Sequence, residues 1–206
     1  MALKTILFDF DGTLVDTFAA SLEIANRIAP EFGYRRIAPE EVETLRGWAY
    51  GRIVDHIGVS WHKLPAIANR IRSELTEQLE RLEPVEGLPE VLCALRGRGF
   101  ELGILTSNSR DNVARFLDTH RLDHFAFVNT SSSLWGKRRR LRAILKQRRR
   151  AFDEAAYVGD EVRDIEAAQA LGVPMVAVSW GYSRKELLAL HAPSHLIERP
   201  ADLLDV

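Results

Sequence analysis

The chain has 206 residues and an almost even balance of 28 basic and 29 acidic side chains, for a net charge of −1. That length supports one or two domains with a substantial core, and the even balance predicts no bulk attraction to nucleic acid or another polyanion. The single cysteine, Cys93, excludes an intrachain disulfide; no apolar run approaches the roughly 18 residues of a membrane span, and residues 1–20 lack a leader pattern, so the expectation is a cytoplasmic protein with no membrane partner.

Thr5-Ile6-Leu7-Phe8, followed by Phe10, is an apolar and β-branched run stopped by Gly12, which reads as a buried strand. One turn of buried helix is the alternative, and Gly12 with the β-branched residues argues against it. Asp9 and Asp11 stand where the strand stops. Two residues apart on an extended chain, they point the same way and repel each other unless a cation lies between them. The plainer alternative is a turn with two solvated acids; the interleaved Phe8 and Phe10 favour burial.

After Thr17 the period becomes helical. Phe18, Leu22, Ala25 and Ile28 share a face, with Pro30 and Gly33 ending the segment. Pro39-Glu40-Glu41 starts a second helix that turns Val42 and Leu45 inward and stops at Gly47. A short helix follows around 52–57. A long one then carries Leu64, Ile67, Ile71, Leu75, Leu79 and Leu82 at spacings of three or four. Residues 18–83 thus carry no strand pattern, and Glu83-Pro84-Val85-Glu86-Gly87 reads as a linker.

A helix at 88–98 comes next, with Cys93 expected to be packed among Val91, Leu92 and Leu95. Phe100–Leu105 reads as a strand closing on Thr106-Ser107-Asn108-Ser109, 111–117 as a helix, and Phe125–Val128 as a short strand. Residues 134–150 read as a helix striped by Leu141, Ile144 and Leu145. Ala155–Val158 is a strand ending in Gly159-Asp160, 162–171 a helix, and Val173–Val178 a strand ending in Ser179-Trp180-Gly181. Strands alternating with helices imply βαβ units and a parallel α/β sheet, whose ligands bind at the carboxyl ends of the strands.

The stretch Asp9-Phe10-Asp11-Gly12-Thr13-Leu14-Val15-Asp16-Thr17 resembles the first motif of the haloacid dehalogenase superfamily. Thr106 resembles the second motif, Lys137 the third, and Gly159-Asp160-Glu161-Val162-Arg163-Asp164 the fourth. The four occur in the expected order over residues 5 to about 181. The resemblance implies a doubly wound, Rossmann-like parallel-sheet core, residues 1–17 and 84–206, carrying an inserted all-helical cap at 18–83.

It also implies roles. Asp9 is the expected nucleophile, already ionised at neutral pH and able to form an aspartyl-phosphate; a purely metal-ligating Asp9 is the alternative. Asp11 is the expected general acid and base; dehalogenating relatives lack an acid there, so its presence speaks for phosphoryl transfer. Thr106, Ser107 and Asn108 are expected around the phosphate, helped by a helix starting near Ser109, although Thr-Ser-Asn-Ser alone is an ordinary helix cap. Lys137 would neutralise nucleophile and phosphate; Arg138 and Arg139 are neighbouring candidates. Asp9, Asp160 and the Asp11 carbonyl form an all-oxygen magnesium (Mg2+) site, with Asp164 binding a metal-held water or orienting Lys137. Arg46 is the expected cap contact to substrate, or else a helix-end cation serving the dipole. Trp180 lines the site entrance or packs.

These features imply a magnesium-dependent phosphatase acting on a small phosphorylated metabolite, as a monomer or homodimer. Trp180-Gly181 and the Gly-Asp-Glu-x-Arg-Asp form look most like the phosphoglycolate phosphatase group. A sugar phosphomutase of the same fold usually carries a cap histidine where this chain has Ser21. A pyrophosphatase is a further alternative, because the cap sets the substrate. The non-enzymatic alternative is an interaction module using the basic helix 137–150, which otherwise reads as a solvated face.

Overall fold

The computed structural model describes residues 3–79, 81–130 and 136–206. Its sheet has six strands, all parallel, in the order β3-β2-β1-β4-β5-β6. The central strand is β1 (Thr5–Phe8), paired on one side with β2 (Glu101–Thr106) and on the other with β4 (Ala155–Gly159). Outside these lie β3 (Phe127–Thr130), β5 (Met175–Val178) and β6 (His195–Ile197). The strand order reverses between β1 and β4, and such a switch point opens a crevice at the strands' carboxyl ends.

Alternation along β1 divides the core into two layers. Ile6 and Phe8 pack with Val91, Leu92 and Leu95 of α5 (Leu88–Gly97) and with Val113 and Phe116 of α6 (Arg110–Thr119). Leu7 points to the opposite face. There it joins Leu141, Ile144 and Leu145 of α7 (Lys137–Gln147), Ile165 and Ala168 of α8 (Val162–Gln169), and Leu188 of α9 (Lys185–Leu190). Leu7 and Phe8 are completely buried, and burial of each such side chain stabilises the fold by about 1.5–3 kcal/mol. A strand apolar on both faces belongs inside a parallel sheet covered by helices on each side.

Between β1 and α5 the described residues form helices and turns: α1 (Phe18–Phe32), α2 (Val42–Arg46), α3 (Tyr50–His56) and α4 (Leu64–Leu79). The two chain connections to this segment lie side by side. Val15 bridges Pro84 in antiparallel fashion, and Val85 donates its N–H to the Leu14 carbonyl at 3.0 Å.

The structure corrects several local expectations. Helix α1 runs through Pro30 to Phe32, and Gly33, at φ 74°, closes it. Strand β3 begins two residues later than its apolar run suggests. Leu134, the expected start of a helix, lies outside the described residues; α7 spans Lys137–Gln147. Cys93 is exposed on the outer side of α5 rather than packed with Val91, Leu92 and Leu95. Helix α9 and strand β6 carry no clear sequence pattern, since a three-residue edge strand is too short to show alternation.

Candidate active site

The acids gather at the switch point. Asp9 directly follows β1 and donates its backbone N–H to the Val158 carbonyl of β4 at 2.8 Å, so sheet register fixes its position. Its Oδ1 accepts the Phe10 N–H at 2.8 Å, and its Oδ2 meets Lys137 Nζ. Gly12, at φ 73°, then turns the chain, with the Gly12 N–H bonded to the Val15 carbonyl at 2.8 Å. A Cβ at Gly12 would stand 2.3 Å from Asp160 Oδ2. Only a glycine lets this loop approach the second acid so closely.

Asp160 follows β4 as Asp9 follows β1, and it is fully buried. Its Oδ1 accepts the Thr13 hydroxyl at 2.8 Å and its Oδ2 accepts the Tyr182 N–H at 2.7 Å. Asp164 lies in the first turn of α8, where its Oδ2 accepts the Glu161 N–H at 3.2 Å and its Oδ1 meets Lys137 Nζ. Lys137, the first residue of α7, therefore joins Asp9 to Asp164. Arg138 and Arg139 are exposed, so of the three sequence candidates it is Lys137 that reaches the acids.

Burial raises the Asp9 carboxyl to about 7, against the pull of Lys137. Burial also raises Asp160, with Glu161, Asp164 and Asp9 adding to the effect. Burial works against the Lys137 charge, but Asp164 and Asp9 outweigh it and hold the ammonium well above its ordinary pKa. The carboxylates of Asp9, Asp160 and Asp164 each present an oxygen within 4.8 Å of the others. Among the described residues, two of these three buried acids meet the Lys137 ammonium, and the third, Asp160, accepts from the neutral Thr13 hydroxyl and Tyr182 N–H. This hard, oxygen-only, electron-rich set fits a divalent cation such as magnesium.

Asp11 is half-buried beside this cluster. Its Oδ1 accepts the Thr17 hydroxyl at 3.1 Å, and the Asn108 side-chain amide lies 3.0 and 3.1 Å from its two oxygens. Burial raises the Asp11 carboxyl and these hydrogen bonds oppose the rise. The loop after β2 is built for this contact. Asn108 donates its N–H to Thr106 Oγ1 at 2.9 Å, and its Oδ1 accepts from Ser109 N–H and Asn112 Nδ2. Ser109 caps α6, accepting the Asn112 N–H at 3.1 Å. Thr106 and Asn108 are buried; Ser107 and Asn108 both line the adjoining cavity, and Ser107 offers its carbonyl to Arg72 Nη1 at 2.7 Å.

That cavity measures about 320 Å³. Asp9, Asp11, Ser107 and Asn108 line it from the core side, and Trp48, Ile53 and Ile71 line it from the helical segment, with Arg46, Arg72 and Arg163 supplying positive charge. Arg46 donates from Nε to the Tyr182 carbonyl at 3.1 Å, from Nη2 to the Gly181 carbonyl at 2.7 Å, and from Nη1 to Glu43 at 2.8 Å. Trp180 packs against the core and donates its indole N–H to the Thr13 carbonyl at 3.2 Å. Sequence reasoning missed Arg72, Asn112 and Tyr182. Tyr182 adjoins Trp180-Gly181, but Arg72 and Asn112 carry no local signal, being ordinary helix residues until two helices bring them to the same loop.

The family model for haloacid dehalogenase-like hydrolases matches residues 6–178. A phosphoglycolate phosphatase from Synechococcus elongatus is 39% identical over 205 residues, which cover 98% of this chain and 96% of that protein. The pyrophosphatase PpaX of Bacillus mycoides is 25% identical over 211 residues, covering 100% of this chain and 97% of that one. In fold, the chain superimposes with a TM-score of 0.79 on a haloacid dehalogenase-like hydrolase from Streptococcus pneumoniae that is 19% identical, covering 98% of this chain and 97% of that one. With the first motif on β1, the fourth on β4 and a lysine between them, the chain belongs to the haloacid dehalogenase-like hydrolases and is a phosphatase of that family.

Proposed function

We propose that the protein hydrolyses a small phosphate monoester, phosphoglycolate or a close analogue, through an aspartyl-phosphate on Asp9. The observation that carries this reading is the pairing of two differently held acids: Asp9, fixed against Lys137, and Asp11, held by neutral donors beside the cavity. The first suits a nucleophile and the second a proton carrier. The likeness to the Synechococcus enzyme supports the choice of substrate.

In this mechanism an Asp9 oxygen attacks phosphorus and the bond from phosphorus to the ester oxygen breaks. Asp11 gives its proton to the departing alkoxide. It then takes a proton from the water that attacks the acyl-phosphate, which releases inorganic phosphate and restores Asp9. Lys137 offsets the charge of Asp9 and the phosphoryl group in a site shielded from water, where electrostatic effects are large. Asp164 keeps Lys137 in place, Thr106 and Ser107 hold the phosphate, and Asn108, whose amide is taken by Asp11, bounds the phosphate side of the cavity.

Asp9, Asp160 and the Asp11 carbonyl would hold a magnesium ion, with Asp164 behind them. When bound, the ion supplies positive charge that draws the phosphate towards Asp9. The helices over residues 18–83 act as a cap that closes on the substrate and excludes water, and Arg46 meets its second anionic group.

The test is phosphate release from a panel of phosphorylated metabolites, with and without magnesium. Phosphoglycolate should rank first and chelation should stop the reaction. Asp9→Asn should remove turnover while the melting curve stays cooperative. Retention of more than a few per cent of activity would exclude the covalent route.

A further inference from the structure

Beside the catalytic acids stands a residue from a distant loop that touches both halves of the site. Tyr182, two residues after Trp180, donates its backbone N–H to Asp160 Oδ2 at 2.7 Å. Its hydroxyl lies 2.9 Å from Thr17 Oγ1 and 2.9 Å from Ser21 Oγ. Thr17 in turn donates to Asp11 Oδ1 at 3.1 Å, and Thr17 is fully buried. The phenol ring meets the Phe18 ring edge-on, with centroids 5.3 Å apart at 81°. It also fills the space above Gly12, where an added Cβ would stand 2.7 Å from Tyr182 Cδ1.

We infer that Tyr182 is a positioning residue for Asp11, acting through the Thr17 hydroxyl. The inference rests on the phosphatase reading, in which Asp11 must meet a leaving oxygen at a defined angle. A hydroxyl that serves a carboxylate is itself a free rotor unless something fixes it. Thr17 has one hydrogen, and its hydroxyl is held between two oxygen neighbours, Asp11 Oδ1 and the phenol oxygen of Tyr182. The phenol donates its own hydrogen to Ser21 Oγ, which ties it to the first turns of α1. The arrangement also spans the site: the same residue sets Asp160 by its backbone and Asp11 by its side chain. A shift of the 181–182 loop would therefore disturb both acids together. Arg46, bonded to the Gly181 and Tyr182 carbonyls, links that loop to α2.

The experiment compares the wild type with Tyr182→Phe on two phosphate esters. Phosphoglycolate has an alkoxide leaving group that requires an acid, whereas 4-nitrophenyl phosphate has one that leaves with little help. Phe keeps the ring contacts and the backbone N–H to Asp160, so the magnesium activation constant should stay within about twofold. The value of kcat/KM should fall about tenfold on phosphoglycolate, the scale of one net hydrogen bond in a buried network. It should fall less than about threefold on the nitrophenyl ester. In a Thr17→Val background the Tyr182→Phe change should add no further loss, because the path to Asp11 is already cut.

Equal losses on the two esters, an unchanged kcat/KM on phosphoglycolate, or full losses that multiply in the double variant would each overturn the inference. If Tyr182→Phe melts early, Ser21→Ala, which removes only the far end of the arrangement, should show the same leaving-group bias at reduced size, and an absent bias there overturns it as well. A wild type inactive on both esters would instead sink the phosphatase reading on which this one stands.

Discussion

Asn108 presents its side-chain amide to both carboxylate oxygens of Asp11, at 3.0 and 3.1 Å, while its own carbonyl oxygen is taken by Ser109 N–H and Asn112 Nδ2. An amide fixed on one side can fix a carboxylate on the other. Asn108→Ala should therefore lower kcat/KM about 10–100-fold, the range for a hydrogen bond to a charged group. It should also cost about 1–3 kcal/mol of stability, because it strips an acceptor from buried donors. Steady-state kinetics with a denaturant titration would check both, and an unchanged kcat/KM would remove Asn108 from the site.

Lys137 stands between two buried acids, whereas Arg138 and Arg139 face solvent. Lys137→Ala leaves Asp9 and Asp164 without their cation, and breaking a buried pair costs about 3–5 kcal/mol. Activity should fall by about 10²-fold or more. Arg138→Ala and Arg139→Ala should change stability by less than about 0.5 kcal/mol and leave turnover nearly unaltered. Equal effects across the three would mean that the basic helix acts as a diffuse field.

The buried acids predict a pH dependence of cation binding. Burial raises the Asp9 carboxyl from 3.8 to about 7 in the cation-free protein. A raised carboxyl favours its protonated form when folded, so its contribution is greatest at low pH and is lost as pH rises from the unfolded value through about 7. A divalent cation reverses the preference by favouring the ionised form. The rise in melting temperature on adding magnesium should thus be larger at pH 8 than at pH 5.5, as measured by thermal melts against a chelated control. A larger rise at pH 5.5 would contradict the assignment of Asp9 as a ligand.

Arg46 lines the cavity while three of its nitrogens bond to Gly181, Tyr182 and Glu43. A guanidinium has five N–H donors, which leaves two for an anion. Arg46→Ala should lower kcat/KM for phosphoglycolate by about tenfold or more and change hydrolysis of a small aryl phosphate much less. Parallel losses on both would assign Arg46 to holding the 181–182 loop alone.

The two strands that end at the candidate acids are legible from residue order. Thr5–Phe8 and Ala155–Gly159 are short apolar runs that stop at an acid, so strand, stop and carboxylate lie within a few residues of one another. Helices α1, α2, α4 and α5 announced themselves by spacing and by Pro or Gly at their ends. Cys93 departs from its apolar neighbours because one residue along a helix turns a side chain by about 100°, enough to move it from the core to solvent.

By itself, the sequence determined the parallel α/β class, the helical stretch after the first strand, and which acids end which strands, because each of these depends on neighbours along the chain. The tertiary structure alone decided which distant groups meet. Lys137 reaches Asp9 across 128 residues, Asn108 reaches Asp11 across 97, and Tyr182 reaches Thr17 across 165. Those meetings follow from the register of parallel strands, with Phe8 beside Ile104 on one side and Val158 on the other. Local periodicity fixes which face a side chain takes but not which strand lies beside it. In a run as crowded with cations as 137–142, only the packing of α7 on the sheet turned one ammonium inward and left its neighbours in water.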